Sequence, residues 1–325
     1  MNPKISVIIP VYNGAPFIGK TLQRAFAQEC PAHEIIVVND GSKDNTQEIL
    51  DGFKDRIISK TIPNGGVANA RNQGIRMATG EYVAFLDADD VWFRNKLKVI
   101  AGYIQKYPKA DFFASDYVER IQDFGNRLIR HSSFIHRRES VCFNEPVNIH
   151  PLRLILENNY VVTPSAVVIK KSFVEQIGLF DPERKLVEDL DFYLRVAMQA
   201  NFVLISDILL YKYNHAANMS FNNLKLYLMH KNVLEHFLTS QKKFIESNGF
   251  TGAMNQALSR ICYMAGNMQF EAGNKKEAFA LYQEALKWMP SASNFFNYAW
   301  VMSKKTVRLL INNKANQNNL KKIGS

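Results

Sequence analysis

The sequence has few cysteines and no long apolar run, and both shortages narrow the class of protein. Three cysteines, Cys30, Cys142 and Cys262, lie far apart in a chain of 325 residues. Without paired spacing they indicate neither a disulfide framework nor a thiolate zinc site, which favours reduced thiols in a cytosolic protein. The first apolar run, Ile5 to Val11, is too short for a signal peptide and is interrupted by Pro10. We therefore expect a soluble cytoplasmic protein that lies, at most, on the inner surface of a membrane.

Acidic residues are absent from the C-terminal end of the chain. From Ser291 onward there is no Asp or Glu, and six of the ten net positive charges lie there: Lys304, Lys305, Arg308, Lys314, Lys321 and Lys322. Such a basic tail suggests contact with an anionic surface, either nucleic acid or the headgroups of a cytoplasmic leaflet. A basic amphipathic helix on anionic lipid and a packed helix with a solvated basic edge explain the pattern equally well.

The first two thirds of the chain alternate between strand and helix patterns. A hydrophobic fraction of 47% in 325 residues supports one large packed domain or two ordinary ones. Apolar strands are predicted over residues 5–11, 34–38, 56–62 and 81–86, with helices over residues 15–28 and 66–78 and a further helix ending at Leu50. This alternation predicts an α/β fold with a mostly parallel sheet and helices on both faces.

After about Phe221 the strand patterns stop and helical periodicity takes over. We accordingly divide the chain into residues 1–220 and a small all-α region over residues 221–325. Residues 260–290 resemble one tetratricopeptide repeat, with small residues at Ala265 and Gly266 and a proline at its end. A single repeat cannot bury its own face, so we expect it to pack on neighbouring helices rather than to form a peptide-binding groove.

The densest group of acids follows the strand that ends at Leu86. Asp87, Asp89 and Asp90 have no cation beside them in sequence until Arg94. Because side chains alternate along an extended chain, Asp87 and Asp89 can project together, and two such carboxylates resist ionising unless a cation joins them. Mg2+ or Mn2+ suits this position, since each binds one or two carboxylates and fills its other sites with water and phosphate oxygens. A turn that caps the following helix is the alternative.

Polar residues also follow the first two predicted strands. Tyr12, Asn13 and Gly14 follow the first, and Asn39 to Gly41 follow the second. In open sheets of this kind, ligands bind in the crevice beyond the carboxyl ends of the strands. We therefore expect these polar residues and the acid cluster to gather in one crevice.

Five short motifs follow one another at residues 8–14, 38–46, 64–72, 87–90 and 188–191. They read Ile-Ile-Pro-Val-Tyr-Asn-Gly, Val-Asn-Asp-Gly-Ser-Lys-Asp-Asn-Thr, Asn-Gly-Gly-Val-Ala-Asn-Ala-Arg-Asn, Asp-Ala-Asp-Asp and Glu-Asp-Leu-Asp. Each motif alone is a weak signal, but in this order they closely resemble family 2 glycosyltransferases of the GT-A fold, over roughly residues 4 to 220. The resemblance does not cover the C-terminal third.

The resemblance implies an enzyme that moves a sugar from a nucleotide diphosphate sugar to a hydroxyl of a glycan or lipid-linked acceptor, in surface polysaccharide synthesis. It implies UDP as the expected nucleotide and Mn2+ or Mg2+ as the cofactor, and it disfavours nucleic acid as a partner. The sugar, the linkage and the acceptor depend on the pocket around residues 110 to 180, where no motif is present.

By resemblance, six residues lie at the nucleotide: Pro10, Tyr12, Asn13, Asp40, Arg71 and Asp87. The carboxylate of Asp40 accepts the ring N–H of the base, for which an acceptor-only group is suited. Uracil and thymine both present that N–H, so Asp40 does not choose between them. Arg71 hydrogen-bonds the base or a phosphate. Taken alone, Asp40 would be a helix-capping turn and Arg71 a solvated helix face.

The resemblance also assigns the metal ligands. Asp89 holds the ion that bridges the diphosphate, while Asp87 lies by the ribose or acts as a second ligand. The segment at residues 211–215 resembles one that closes over the diphosphate, so His215 is a further candidate to ligate the metal or to bond a phosphate. Lys212 and Tyr213 depart there from the commoner pattern of the family.

The acids of the last motif carry the proposed catalysis. Direct displacement at an anomeric carbon needs a base that takes the proton of the attacking hydroxyl. The Glu-Asp motif maps to Glu188 and Asp189, which makes Asp189 the candidate base. Asp191 is the alternate base, but it lies four residues before Arg195 and could simply pair with it. Because one base suffices for one in-line displacement, we predict inversion at the anomeric carbon.

Two other readings of the first domain remain open. A catalytically degenerate GT-A scaffold could act as a binding or interaction protein, although an unpaired acid cluster would only harm such a scaffold. A nucleotidyltransferase is less well supported, because the first strand is not followed by a glycine-rich phosphate loop that carries Arg or Lys.

Overall fold

The computed structural model describes residues 2–121, 128–129, 150–158, 163–214 and 224–290. The chain divides into two compact units, residues 1–221 and 222–325. The candidate ligand His215 and the basic tail after residue 290 lie outside the described residues, so their roles stay predictions. Cys30 and Cys262 are free thiols. Within the described ranges, no helix is both long enough and apolar enough to cross a membrane.

One mixed β-sheet forms the centre of the first unit. Its strands in the described part of the chain are β1 (Ile5–Val11), β2 (Glu34–Asn39), β3 (Ile58–Thr61), β4 (Tyr82–Phe85), β5 (Val91–Trp92), β6 (Phe112–Ile121), β7 (Leu128–Ile129), β8 (Val167–Lys170) and β9 (Phe202–Asn214). Their order is β3-β2-β1-β4-β8-β6-β9-β5, and β7 pairs with β6. Strands β1, β2, β3 and β4 run parallel to one another, and β6 runs parallel to β9. Strand β8 runs antiparallel to β4 and to β6, which makes the sheet mixed.

Helices cover both faces of this sheet, so the predicted α/β class is confirmed. They are α1 (Ile18–Phe26), α2 (Thr46–Asp51), α3 (Val67–Met77), α4 (Lys96–Lys106), α5 (Pro151–Asn158), α6 (Lys171–Ile177) and α7 (Glu188–Ala197), with a short 3-10 helix over Pro164–Ala166. Strand β1 is buried along its whole length, as expected of a near-continuous apolar strand inside a parallel sheet. Gly74 lets α3 lie against it, because a Cβ there would collide with Ile8.

The structure differs from the predicted elements mainly at their ends. Helix α1 begins at Ile18, three residues later than predicted. Residues 202–214 form one long strand, β9. Its register against β6 shifts where Ser115 pairs with Ile205 but Asp116 pairs with Ile208. The two extra residues of β9 form a bulge, which the sequence shows as a break in the apolar pattern.

The second unit is helical in its described part. Its helices are α8 (Leu224–Ser240), α9 (Lys242–Ser247), α10 (Thr251–Glu271) and α11 (Lys275–Trp288). Helices α10 and α11 form a hairpin in which Gly266 lies beneath the ring of Tyr282, whose hydroxyl donates to Asn267 Oδ1 at 2.7 Å. The predicted helical region is therefore present, and its assignment to a tetratricopeptide repeat stays a prediction.

Candidate functional site

A cavity of about 680 Å3 opens in the first unit at the carboxyl ends of β1, β2 and β4. Residues from all five sequence motifs line it: Pro10, Tyr12, Asn13, Asp40, Asn64, Gly66, Arg71, Asp87, Asp89, Asp90, Glu188 and Asp189. The expected convergence of the polar strand ends thus occurs in the structure.

Hydrogen bonds join the loop after β1 to the loop after β2. The backbone N–H of Asn13 donates to Ser42 Oγ at 2.9 Å, and Asn13 Oδ1 accepts from the N–H of Lys43 at 2.7 Å. Asn13 has a φ of 49°, a left-handed conformation that asparagine tolerates better than most residues. Tyr12 lines the cavity beside these contacts and is 51% exposed. The paired loops therefore form a fixed floor from which an aromatic ring is available to a ligand.

The carboxylate of Asp40 is buried and holds the turn that begins α3. Its Oδ1 accepts from the N–H of Gly65 and its Oδ2 from the N–H of Gly66, both at 2.8 Å. Helix α2 is not capped by Asp40, because its N-cap residue is Asn45. Asp40 thus does not cap α2, and its carboxylate instead bonds the backbone N–H groups at the start of α3. Since a carboxylate has about four acceptor positions, two such bonds leave capacity for a further donor.

Arg71 joins two of the predicted site acids, and sequence reasoning did not foresee this. Its Nη2 lies 2.8 Å from Asp87 Oδ1 and its Nη1 lies 2.6 Å from Glu188 Oε1, with the guanidinium almost fully buried. Burial lowers the pKa of Arg71, but the charges of Asp87 and Glu188 outweigh it and raise that pKa above its ordinary value. The cation thus neutralises two carboxylates instead of lying on a solvated helix face.

The two candidate bases lie in different surroundings. Among the described residues, the cavity lining includes Asp189 but not Asp191. Asp191 Oδ2 accepts from Arg195 Nε at 3.0 Å, which confirms the predicted pair. Burial is the main cause that raises the pKa of Asp189, although Arg71 and the N–H of Leu190 oppose it. Asp189 is thus an acid of raised pKa beside an open cavity, while Asp191 is held in an ion pair.

The acid cluster is hydrogen-bonded to the segment that leads into β8. The N–H of Asp87 donates to Ser165 Oγ at 2.9 Å, and Thr163 Oγ1 donates to Asp90 Oδ2 at 3.3 Å. Burial raises the pKa of Asp90 to about 8, and the charges of Asp87 and Asp89 act in the same direction. Asp90 is therefore a buried, hydrogen-bonded residue, whereas Asp89 lies partly exposed in the cavity wall.

The described residues suit a metal ion that is shared with a substrate. They contain no group of three or more His, Cys, Asp or Glu side chains arranged to hold a metal by themselves. Asp89 and Asp87 line the same cavity, and the ion pair of Asp87 with Arg71 is made through Oδ1. Mg2+ and Mn2+ need only one or two protein carboxylates when phosphate oxygens and water complete the shell. The donor set fits an ion bound together with a diphosphate.

Lys212 is a cavity residue to which sequence reasoning gave no role. It lies on β9 and lines the cavity. Its charge opposes the rise that burial causes in the pKa values of Asp90 and Asp189. A single lysine in an apolar strand, four residues after Ile208, was the available signal. The structure thus places a cation where the predicted site was almost wholly acidic.

Comparison with known sequences covers most of the first unit. The model of the family described as Glycosyl transferase family 2 matches residues 6–178. An uncharacterized glycosyltransferase of Rickettsia prowazekii (strain Madrid E) is 28% identical over 277 residues, which are 79% of this chain and 85% of the relative. The putative teichuronic acid biosynthesis glycosyltransferase TuaG of Bacillus subtilis (strain 168) is 36% identical over 147 residues, 44% of this chain and 56% of its own.

Three solved structures share the fold of this chain. S. aureus TarS has a TM-score of 0.65 at 21% identity, over 89% of this chain and 49% of the TarS chain. TarS 1–349 in complex with UDP-GlcNAc has a TM-score of 0.58 at 20% identity, over 93% of this chain and 91% of the TarS chain. A mannosyltransferase from Pyrobaculum calidifontis in complex with GDP-Man and Mn2+ has a TM-score of 0.53 at 18% identity, over 95% of this chain and 88% of the mannosyltransferase chain. At these identities the likeness shows a shared fold.

Proposed function

This chain belongs to glycosyltransferase family 2 and has the GT-A fold, and we propose that it is a metal-dependent, inverting enzyme that uses a UDP-sugar. The acceptor in this proposal is a hydroxyl of a glycan or lipid-linked molecule, in surface polysaccharide synthesis. The observation that carries the proposal is the single cavity, because residues of five separated motifs line it together. Each acid taken alone has a structural explanation, but their common cavity is what a donor site requires.

The nucleotide is proposed to lie on the floor formed by the loops after β1 and β2. Tyr12 offers an exposed ring beside a base, and Asp40 retains acceptor capacity after its bonds to Gly65 and Gly66. The TarS structures with UDP and UDP-GlcNAc support UDP as the nucleotide. The GDP-Man complex of the mannosyltransferase keeps GDP as the competing choice.

The diphosphate is proposed to lie at the acid cluster. When Mn2+ or Mg2+ is bound there, it neutralises charge on the leaving nucleoside diphosphate. Asp89 and Asp87 would hold the ion, and Arg71 pairs with Oδ1 of Asp87 at 2.8 Å. Lys212 adds positive charge in the same cavity and is well suited to bond a phosphate oxygen.

The proton of the attacking hydroxyl is proposed to move to a carboxylate oxygen of Asp189. The raised pKa of Asp189 makes its carboxylate a stronger base than an ordinary aspartate. Glu188 cannot serve equally well, because its Oε1 lies 2.6 Å from Arg71 in a buried pair. With one base opposite the leaving group, the displacement inverts the anomeric carbon.

Substitution of the base separates catalysis from binding. Asp189→Asn should lower turnover of a UDP-sugar by roughly 100-fold or more while UDP affinity stays unchanged. The substitution removes the group that accepts the proton but no residue that binds the nucleotide. The wild-type rate should fall at low pH, because protonation of Asp189 abolishes the base and its raised pKa moves that loss toward neutral pH. Rates of UDP release with a panel of UDP-sugars and Mn2+ measure both effects.

Two matched variants make this test specific. Asp191→Asn changes the neighbouring acid in the same way and should keep turnover near the wild-type value, because Asp191 pairs with Arg195 outside the cavity. Asp89→Ala should abolish turnover and its dependence on Mn2+ or Mg2+. Full turnover of wild type in chelator would contradict the metal role, and wild-type turnover of Asp189→Asn would move the base elsewhere.

A scaffold that binds a nucleotide sugar without turning it over is the second candidate. One observation favours it: Arg71 pairs with both Asp87 and Glu188, so these two acids do not by themselves require a ligand. Thermal shift with a UDP-sugar, with and without Mn2+, reports binding under either proposal. Binding without measurable hydrolysis or transfer for any donor would favour the scaffold.

A further inference from the structure

A lysine without exposed surface lies behind the acid cluster. Lys96, in the first turn of α4, is 0% exposed, and its Nζ donates to Ser115 Oγ at 3.0 Å and to the carbonyl of Ala166 at 3.4 Å. The ammonium also lies 5.2 Å from the centre of the Trp92 ring. Burial lowers the pKa of Lys96 to about 7, which shows how unfavourable this position is for a charge.

The contacts of Lys96 converge on the short 3-10 helix before β8. The carbonyl of Ala166 accepts from Lys96, and the carbonyl of Ser165 accepts from Trp92 Nε1 at 2.9 Å. Ser115, on β6, lies within 3.5 Å of the same Ala166 carbonyl. These residues are all buried. The 3-10 helix is thereby held by residues that do not line the cavity.

The same segment holds the acid cluster on its other side. Ser165 Oγ accepts from the backbone N–H of Asp87 at 2.9 Å, and Thr163 Oγ1 donates to Asp90 at 3.3 Å. Thr163 is 2% exposed and Ser165 is 0% exposed. Both ends of residues 87–90 are therefore hydrogen-bonded to the segment that Lys96 contacts at the Ala166 carbonyl.

We propose that Lys96 is a positioning residue for the acid loop, defined as residues 87–90. Through Ser115 and Ala166 it sets the place of Ser165 and Thr163, and through them the relative positions of Asp87 and Asp89. The function that follows is tighter binding of a divalent cation together with a diphosphate. This inference rests on the proposed function, because it assigns that cation to the acid loop.

If Lys96 only packed the core, its replacement would lower stability, whereas a positioning residue can be replaced without loss of stability but with loss of the Mn2+-dependent affinity. Lys96→Met removes the cost of burying a charge, and Asp90, whose charge raises the pKa of Lys96, keeps its hydrogen bond from Thr163. After Lys96→Met, Ser115 Oγ can still donate to the Ala166 carbonyl, so no buried group loses its last partner. Stability should therefore be kept while the geometry of the acid loop is relaxed. This combination distinguishes positioning from packing.

Calorimetric titration of the full chain with UDP, with and without Mn2+, tests the proposal. Lys96→Met should bind UDP without Mn2+ as tightly as wild type and should keep the melting temperature. The factor by which Mn2+ increases UDP affinity, called the gain, should be roughly 10-fold smaller than in wild type. Lys98→Met is the matched control, because Lys98 lies on the same helix with a side chain 68% exposed and pairs with Glu29 at the surface. It should leave the gain unchanged.

Ser115→Ala provides a second test that does not depend on how Lys96→Met folds. It removes the nearest hydrogen-bond acceptor of Lys96 and should lower the Mn2+-dependent gain in the same direction. If the wild type shows the gain and both variants preserve it, the inference is overturned while the proposed function stands. If the wild type shows UDP binding without any gain from Mn2+, the metal part of the proposed function fails, and the inference fails with it.

Discussion

At the scale of single residues, Arg71 determines the charge balance of the cavity. Asp87 and Glu188 lie 16 and 117 positions away in sequence, and both reach the same guanidinium. The pairs differ in exposure, since the side chain of Glu188 is 8% exposed and that of Asp87 is 26% exposed. Because like charges repel, the cation of Arg71 offsets the repulsion between these two acids and the nearby Asp89 and Asp189.

Removal of this cation should be strongly destabilising. Arg71→Met leaves Glu188 as a buried carboxylate without its partner, and we expect a loss of about 3 kcal/mol in the free energy of unfolding. An unpaired carboxylate is unfavourable mainly when ionised, so the pKa of Glu188 should rise further in the folded state. As the pH falls below that raised pKa, Glu188 takes up a proton in the folded state and the penalty for its buried charge disappears. The loss in the free energy of unfolding should therefore shrink as the pH falls from 7 to 5. Urea titrations at both pH values measure this.

Two variants control this measurement. Arg76→Met makes the same change at an exposed position of α3 and should alter stability by less than about 0.5 kcal/mol. The double variant Arg71→Met with Glu188→Gln removes the orphaned charge and should recover part of the loss. An equal deficit at both pH values, without recovery in the double variant, would show that packing of the arginine matters more than its charge.

At the scale of elements, the turn before α7 places the candidate base. Arg184 to Val187 form a β-turn in which the N–H of Val187 donates to the carbonyl of Arg184 at 3.2 Å. Leu186, the third residue of this turn, has a φ of 73° and lines the cavity. Glycine or asparagine is favoured at that place, because a Cβ makes a positive φ unfavourable. A leucine there keeps an apolar side chain in the wall of the cavity that Asp189 also lines, despite the backbone conformation.

Leu186→Asn should therefore not destabilise the protein. Asparagine has a similar branched shape and tolerates a positive φ, so we expect the free energy of unfolding to stay the same or to rise by up to about 1 kcal/mol. Val187→Asn makes the same change one residue later, where the side chain is 1% exposed, and should cost about 2 kcal/mol or more. Denaturant titrations compare the two. A large loss for Leu186→Asn would mean that its side chain supports the fold.

The elements of this site were predictable from sequence to the extent that their signals are local. Tyr12, Asp40 and Asp87 each follow an apolar strand, and parallel strands bring such ends together, so the crevice could be expected from pattern alone. The pairing of Arg71 with Glu188 could not, because contacts across 117 positions depend on how α7 packs. Lys96 could not either, since a lysine in an amphipathic helix is normally solvated.

At the scale of the whole molecule, the candidate site belongs to the first compact unit. The cavity-lining residues run from Pro10 to Lys212, and the first unit ends at Phe221. The family model lies within the same unit. The antiparallel strand β8 completes the site from within this unit, because the 3-10 helix before it anchors the acid loop. Donor binding should therefore be a property of residues 1–221, and we propose the boundary near residue 220 as a domain boundary.

A chain that ends after Phe221 should fold and bind UDP with Mn2+ within about 2-fold of the full chain, because every described residue that lines the cavity belongs to the first unit. Calorimetric titration measures the affinity. Asp40→Asn in the same shortened chain is the control, and it should weaken UDP binding by roughly 10-fold because a charge-assisted acceptor is lost. A shortened chain that folds but does not bind UDP would show that the helical unit takes part in the donor site. One that does not fold would show that the two compact units are not independent domains.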